Sequence, residues 1–317
     1  MPDGVALFEP PDTPVPVLLA EPVAGVAGGA GVADEAGSGR PPARGNALLV
    51  PGFTGSKEDY IALLMPLAER GWRVAAMDLP GQGGVPGLGP RGAHTPQSLA
   101  DAVARVADWL SPIAPVHLVG HSMGGLVTRE VVIAHPERLL SWVPMCSGPG
   151  RVPSVQDASL RQLQLALAAM PIEQVWAQKE AIDRAGGWTP PNDEVARFVA
   201  ERFVRNDPAA LSDFAEILIT AEDRTDLAAA AMAGGRIDGR RIGSGGMAGP
   251  RIGGAVLTGE TDDAWPLAQQ EQMARRLGVP WLLTPGGHNP AVDDPDATAA
   301  ALDSVWAAAE SARASRR

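Results

Sequence analysis

The sequence predicts an α/β fold, with a mostly parallel central sheet flanked by helices and a helical segment inserted between the sixth and seventh strands. Three observations carry that expectation. Strand and helix patterns alternate from about residue 46 to residue 147, the order that sets parallel strands beside crossover helices. The alternation stops from Ser147 to about Gly254, where several helices are expected with little strand signal, and it resumes at 255. Within the first run, Val116-His117-Leu118-Val119 leads through Gly120-His121-Ser122-Met123-Gly124 into a helical pattern, which is a strand, a sharp Gly-x-Ser-x-Gly turn and a helix.

Each element has its own local reason. Residues 15–19 read as an edge strand and 21–45 as an irregular Gly/Ala/Pro-rich connection. Asn46 to Val50 is a short apolar strand. Ser56-Lys57-Glu58-Asp59 has the spacing of a capping box, and Ile61, Leu64 and Leu67 follow at helical spacing. Arg73 to Met77 is the next strand, ending at Asp78-Leu79-Pro80-Gly81-Gln82-Gly83. Thr95 opens a helix carrying Leu99, Val103, Val106 and Leu110; the helix after Ser122 runs to about His135, and Leu139 to Met145 is a further strand. In the insert, Pro171 fits a first helical position, and Asn192-Asp193-Glu194 and Asp207-Pro208 put a capping side chain and early negative charge at helix starts. Trp176, Phe198, Phe203, Leu211 and Phe214 supply the apolar faces that seat the insert or line a pocket beneath it. The Gly- and Arg-rich stretch 233–254 reads as a mobile loop. Ala255 to Thr258 and Trp281 to Leu283 are the closing strands. The expected organisation is 1–45 for N-terminal edge strands and the irregular segment, 46–147 with 255–317 for the core, and 148–254 for a helical cap with its Gly-rich loop.

Composition narrows the partners. A formal charge of −11 offers neither a nucleic acid nor an anionic membrane surface the counterions it would exchange, so neither is expected as a partner. The single cysteine, Cys146, removes any disulfide framework or thiolate metal cluster and reads as a small core residue. No metal and no cofactor are implied. The stretch 15–33 is broken by Glu21 and Pro22, and no basic residue precedes Arg40. It fits neither a secretory signal nor a membrane span, and a cytoplasmic location is expected.

A serine hydroxyl is a poor nucleophile near neutral pH and needs a base, itself held in one tautomer by a third group. Of five histidines, His121 lies in the turn with its side chain directed away from the serine, while His117 and His135 have structural readings. His94, in a loop, is the weaker candidate base. His288 follows a strand in the turn-rich segment Thr284-Pro285-Gly286-Gly287-His288-Asn289-Pro290, at the carboxyl end of the sheet where ligands bind. The acid should follow the strand at 255–258, where Glu260, Asp262 and Asp263 compete. A developing oxyanion needs two donors. The backbone N–H groups of Met123 and of Phe53, in Pro51-Gly52-Phe53-Thr54-Gly55, are placed to serve, and the Phe53 ring is free to wall an acyl pocket.

Together these stretches resemble the α/β-hydrolase superfamily, over about residues 46–147 and 255–310. The resemblance rests on Pro51-Gly52-Phe53, on Asp78-x-Pro80-Gly81-x-Gly83, on Gly120-His121-Ser122-Met123-Gly124-Gly125, on Gly259-x-x-Asp262 with Pro266, and on Gly287-His288. Where the family more often has His-Gly, this chain has Pro51-Gly52, which removes a histidine that often braces the loop. The longer strings Pro-Gly-Phe-Thr-Gly-Ser-Lys-Glu-Asp and Asp-Asp-Ala-Trp-Pro look like a group of bacterial α/β-fold hydrolases. The resemblance implies Ser122 as nucleophile, His288 as base, Asp262 as acid with Asp263 as runner-up, and Phe53 and Met123 as oxyanion donors. It further implies an esterase-like serine hydrolase acting on a small-molecule acyl substrate without a cofactor. Lactonase, thioesterase, carbon–carbon hydrolase, iminopeptidase, perhydrolase and acyltransferase activities share the same triad, and a non-catalytic ligand-binding role shares the fold.

Overall fold

The computed structural model describes residues 1–11, 13, 15–23, 43–234, 236–237, 240–241 and 252–316. Its main sheet is built from β1 (Val5–Phe8), β2 (Val17–Ala20), β3 (Asn46–Val50), β4 (Arg73–Met77), β5 (Val116–His121), β6 (Leu139–Met145), β10 (Val256–Gly259) and β11 (Trp281–Thr284). Their spatial order is β1-β2-β4-β3-β5-β6-β10-β11. From β4 to β11 neighbouring strands run parallel, and β2 pairs antiparallel with both β1 and β4. The short β7 (Arg236–Ile237) and β8 (Arg240–Arg241) form a separate pair, and β9 (Gly253–Gly254) adds to β6. The central strands are buried from end to end, which is why they read as unbroken apolar runs instead of alternating ones.

The helices divide between the two faces. On one face α1 (Ile61–Ala68) and α11 (Pro295–Ala314) cover Ala47, Leu49, Val74, Ala76, Val119 and Val143. On the other, α2 (Pro96–Leu110), α3 (Met123–Ala134) and α9 (Leu267–Leu277) cover Leu48, Val50, Ala75 and Met77. Successive residues of β3 and β4 thus face opposite layers, as the period of two requires. The short α10 (Pro290–Asp293) follows the loop after β11.

The insert holds α4 (Asp157–Ala169), α5 (Ile172–Ala185), α6 (Asp193–Val204), α7 (Pro208–Thr220) and α8 (Thr225–Met232). Asn192 Oδ1 accepts the Val195 N–H at 2.9 Å, and Asp207 Oδ1 accepts the Ala209 N–H at 2.7 Å. Trp176, Phe203, Leu211 and Phe214 are buried in the same apolar layer as α2 and α3, whereas Phe198 is exposed. The last helix, α8, packs on α3 and α9 beside the sheet.

Four local expectations change. β2 is an interior strand, because β1 lies outside it and takes the edge. The turn after Ser56 is a 3₁₀ segment, Lys57–Tyr60, with α1 beginning only at Ile61; Asp59 Oδ2 does accept the Ser56 N–H, at 3.1 Å. Pro171 is the residue before the first turn of α5 and not part of it. The strand expected at 255–258 is shifted one residue on. The irregular connection and the mobile loop read from the sequence fall largely on residues 24–42 and 242–251, outside the described residues.

Candidate active site

Ser122 sits between β5 and α3 at φ 53° and ψ −123°, a left-handed conformation that costs a side-chain-bearing residue on the order of 1–3 kcal/mol. The turn closes because two neighbours lack a Cβ. One on Gly120 would lie 2.3 Å from Thr128 Oγ1, and one on Gly124 would lie 2.4 Å from the Pro51 carbonyl oxygen. The fully buried β5 and the buried first turns of α3 hold the strained residue in place.

The loops after β10 and β11 bring two more groups to it. His288 Nε2 lies 3.0 Å from Ser122 Oγ, and His288 Nδ1 lies 2.7 Å from Asp262 Oδ1. Asp262 also accepts the Ala264 N–H at 3.1 Å and the Gln270 amide, Nε2 to Oδ2, at 2.7 Å. Burial alone would raise the Asp262 carboxyl, but hydrogen bonds from His288, Ala264 and Gln270 outweigh it and hold the group below the usual carboxylate range. The carboxylate therefore fixes Nδ1–H as the donor and leaves Nε2 free to accept from the serine.

The other candidates fall elsewhere. Asp263 is exposed on the rim of the cavity in front of Ser122, and Glu260 is exposed beside it. His94 is buried away from the serine, with Nδ1 2.9 Å from Asp213 and Nε2 accepting the Leu88 N–H at 2.9 Å, so both ring nitrogens serve to fasten a loop to α7. His121 Nε2 donates to the His288 carbonyl at 2.6 Å, and burial pushes its pKa down to about 3, so the ring is neutral. His117 stacks on Trp306 and bonds Ser141 at 2.7 Å. Cys146 lies beneath the triad-like line, and burial raises its thiol pKa well above the ordinary range, so it is a protonated packing group.

Two residues matter here that the sequence did not single out. Gln270 orients Asp262 and is itself held by Thr258 Oγ1, which donates to Oε1 at 2.8 Å. Gln82 donates to the Gly52 carbonyl at 2.6 Å, beside Ser122. Gln82 works across 30 positions and Gln270 across eight, each from a position with no spacing signal. Among the described residues, Cys146, Asp262 and His288 are close enough together to consider as metal ligands. Their atoms are already committed to one another, and a thiol kept protonated is a poor ligand.

Ser122 opens onto a cavity of about 620 Å³ whose apolar wall includes Phe53, Val152, Leu160 and Leu218. A second cavity of about 610 Å³ shares Thr54, Arg202, Asp263 and His288 with the first, and is walled by Trp176, Trp188, Val199 and Phe203 from the insert. Arg202 of α6 stands at their junction, paired with Asp59. The Met123 N–H, first in α3, has no carbonyl one turn back to bond and is available to a ligand.

Comparison with known proteins gives the family and the architecture. The profile of the Alpha/beta hydrolase family matches residues 47–301. A 95-residue stretch is 40% identical to the dihydrolipoyllysine-residue acetyltransferase component of the acetoin cleaving system of Cupriavidus necator, covering 30% of this chain and 24% of that protein. Another of 86 residues is 36% identical to the pimeloyl-[acyl-carrier protein] methyl ester esterase of Aeromonas hydrophila, covering 27% of this chain and 32% of that one. The chain thus matches about a quarter to a third of the length of these curated relatives. A carboxylesterase structure from the thaumarchaeon Nitrososphaera gargenis superposes with a TM-score of 0.66 at 15% identity, over 96% of this chain and 98% of that one, which establishes the shared architecture.

Proposed function

The chain belongs to the alpha/beta hydrolase family, and from that premise we propose that it is a serine esterase working through Ser122, His288 and Asp262. One observation carries the reading: a strained serine and an imidazole 3.0 Å from it line a cavity, and a carboxylate lies 2.7 Å from the imidazole, buried behind it. Ser122 Oγ attacks the ester carbon as its proton passes to His288 Nε2, and Asp262 stabilises the imidazolium that forms. The oxygen of the tetrahedral intermediate is received by the Phe53 and Met123 N–H groups, before any side chain has to reorganise. His288 then protonates the departing alkoxide. Water, activated by the same imidazole, hydrolyses the acyl-enzyme and restores Ser122.

The two cavities suggest how an ester lies. The second touches His288, which must reach the leaving oxygen, but neither Ser122 nor Phe53, which hold the acyl carbon. It therefore suits the alcohol portion, with Trp176, Trp188 and Phe203 offering a ring-sized apolar wall, and the first suits the acyl portion. The ester chemistry named for the Aeromonas relative supports this class of bond.

The test is hydrolysis of p-nitrophenyl esters of increasing acyl length by the wild-type protein and Ser122→Ala. Loss of turnover on the order of 10⁶-fold is expected if the three groups act as a unit. Turnover that survives in the variant overturns the reading, and the acyl-length optimum measures the depth of the first cavity.

A further inference from the structure

We infer that Gln82 is a positioning residue that aims the Phe53 N–H at the oxyanion. The inference rests on the serine esterase reading and concerns a residue that touches no substrate atom.

Gln82 is fully buried in the loop after β4. Its side-chain Oε1 accepts the Leu79 N–H at 2.9 Å, while Nε2 donates to the Gly52 carbonyl at 2.6 Å and to the Phe53 carbonyl at 3.3 Å. The amide orientation is fixed by its partners, because Leu79 N–H can only donate and the two carbonyls can only accept. Oε1 thus ties the amide to its own loop, and both Nε2 hydrogen bonds go to one short piece of backbone in the facing loop.

That piece is the peptide joining Gly52 to Phe53. A trans peptide is planar, and its C=O and N–H point in opposite directions. Gripping the Gly52 oxygen from one side therefore turns the Phe53 N–H to the other. Ser122 is a close neighbour, since a Cβ on Gly52 would lie 3.0 Å from Ser122 Cβ. The Gly55 N–H also reaches the Gly52 oxygen, at 3.3 Å, but this longer bond lies within the same turn and moves with it. Gln82 anchors the turn to something outside itself.

The anchor is firm. Asp78, at the start of the same loop, accepts the Lys57 N–H and the Lys57 ammonium, each at 2.7 Å, so the two loops are joined at both ends of the Gly52–Lys57 segment. From the insert, the Asp207 N–H donates to the Gly81 carbonyl at 2.8 Å. A loop that carries Pro51 ahead of its glycine is thus braced by a glutamine 30 positions away, and the brace in turn is held by the insert.

Two variants test this. Gln82→Glu keeps an acceptor for Leu79 but sets an oxygen against the Gly52 oxygen; Gln82→Met keeps the volume without any of the three hydrogen bonds and carries the test should the first not fold. Rates are normalised by active-site titration of folded protein. The expected result is a fall in kcat of about 10- to 100-fold, part of the loss that deleting an oxyanion donor causes, with KM within about threefold. The Ki of an alkyl trifluoromethyl ketone, which forms an oxyanion on Ser122, should rise by the same factor. Unchanged kcat and unchanged Ki in a variant whose parent depends on Ser122 overturns the role of Gln82 alone. Turnover by Ser122→Ala overturns the esterase reading and this inference with it. A matched rise in KM with no loss in kcat also overturns it, because a residue that merely shapes the cavity would give that pattern.

Discussion

Adjacent carboxylates at 262 and 263 have different fates because the loop after β10 turns one inward and leaves the other on the rim. Asp262 receives His288 Nδ1, the Ala264 N–H and the Gln270 amide, whereas Asp263 faces the cavity. Asp262→Asn keeps the shape but presents a donor where His288 needs an acceptor, so kcat should fall about 10³- to 10⁴-fold. Asp263→Asn should change kcat less than about threefold, since a rim charge is largely screened. Steady-state kinetics of the pair on one ester decides it, and equal losses would overturn the assignment of Asp262. Ser122 and His288 were legible in the sequence because each is bounded by glycines that a sharp turn or loop demands. Asp262 was distinguishable from Asp263 only through the family pattern. Gln270 and Gln82 were not legible, because a glutamine in a helix or loop is ordinary until folding shows what its amide meets.

At the level of elements, local chemistry located most boundaries and failed where pairing decides. Asn46–Val50, Arg73–Met77 and Leu139–Met145 stand out as apolar runs, and Thr95, Asn192 and Asp207 cap the helices that follow them. β1, four residues in which only Val5 is buried, carries no such signal; it exists because β2 offers it a partner, and its presence makes β2 interior. Likewise nothing local says that Trp176 and Phe203 both seat the insert and wall a cavity. Their rings meet at 5.3 Å, and both residues belong to the buried apolar core and also line the cavity that reaches His288. If that cavity takes the alcohol, filling it from α6 should discriminate by leaving group. Val199→Trp is expected to lower kcat/KM for benzyl esters by about tenfold or more and for methyl esters of the same acid by less than about threefold. Equal losses on both series, or a loss that follows acyl length, would assign the cavity otherwise.

For the molecule as a whole, the groups buried out of their preferred charge state decide how stability responds to pH. The net charge of −11 is a surface property and leaves the sign of that response open. Inside, burial lowers both His121 and His117, the first to about 3, with the neighbouring His288 adding to the effect on His121. An imidazole that stays neutral when folded but protonates near its ordinary value when unfolded makes the unfolded state bind more protons in between. Stability is then full above about pH 6.5 and is lost as pH falls toward 3. For His121 the loss between pH 7 and pH 5 comes to about 2 kcal/mol by linkage. Asp262, held low, acts in a separate window: its contribution is present above the ordinary carboxylate value and disappears only at more acid pH. Asp78 and Asp59, raised by burial, oppose the histidines and are common to the wild type and a His121 variant. Gln at 121 can still donate an amide toward the His288 carbonyl but cannot titrate. Urea unfolding at pH 7 and at pH 5 should therefore show a smaller drop for His121→Gln than for wild type, by about 2 kcal/mol. An equal drop would mean that the ring is hydrated or charged in the folded protein, and the packed contact between His121 and His288 would have to be open to water.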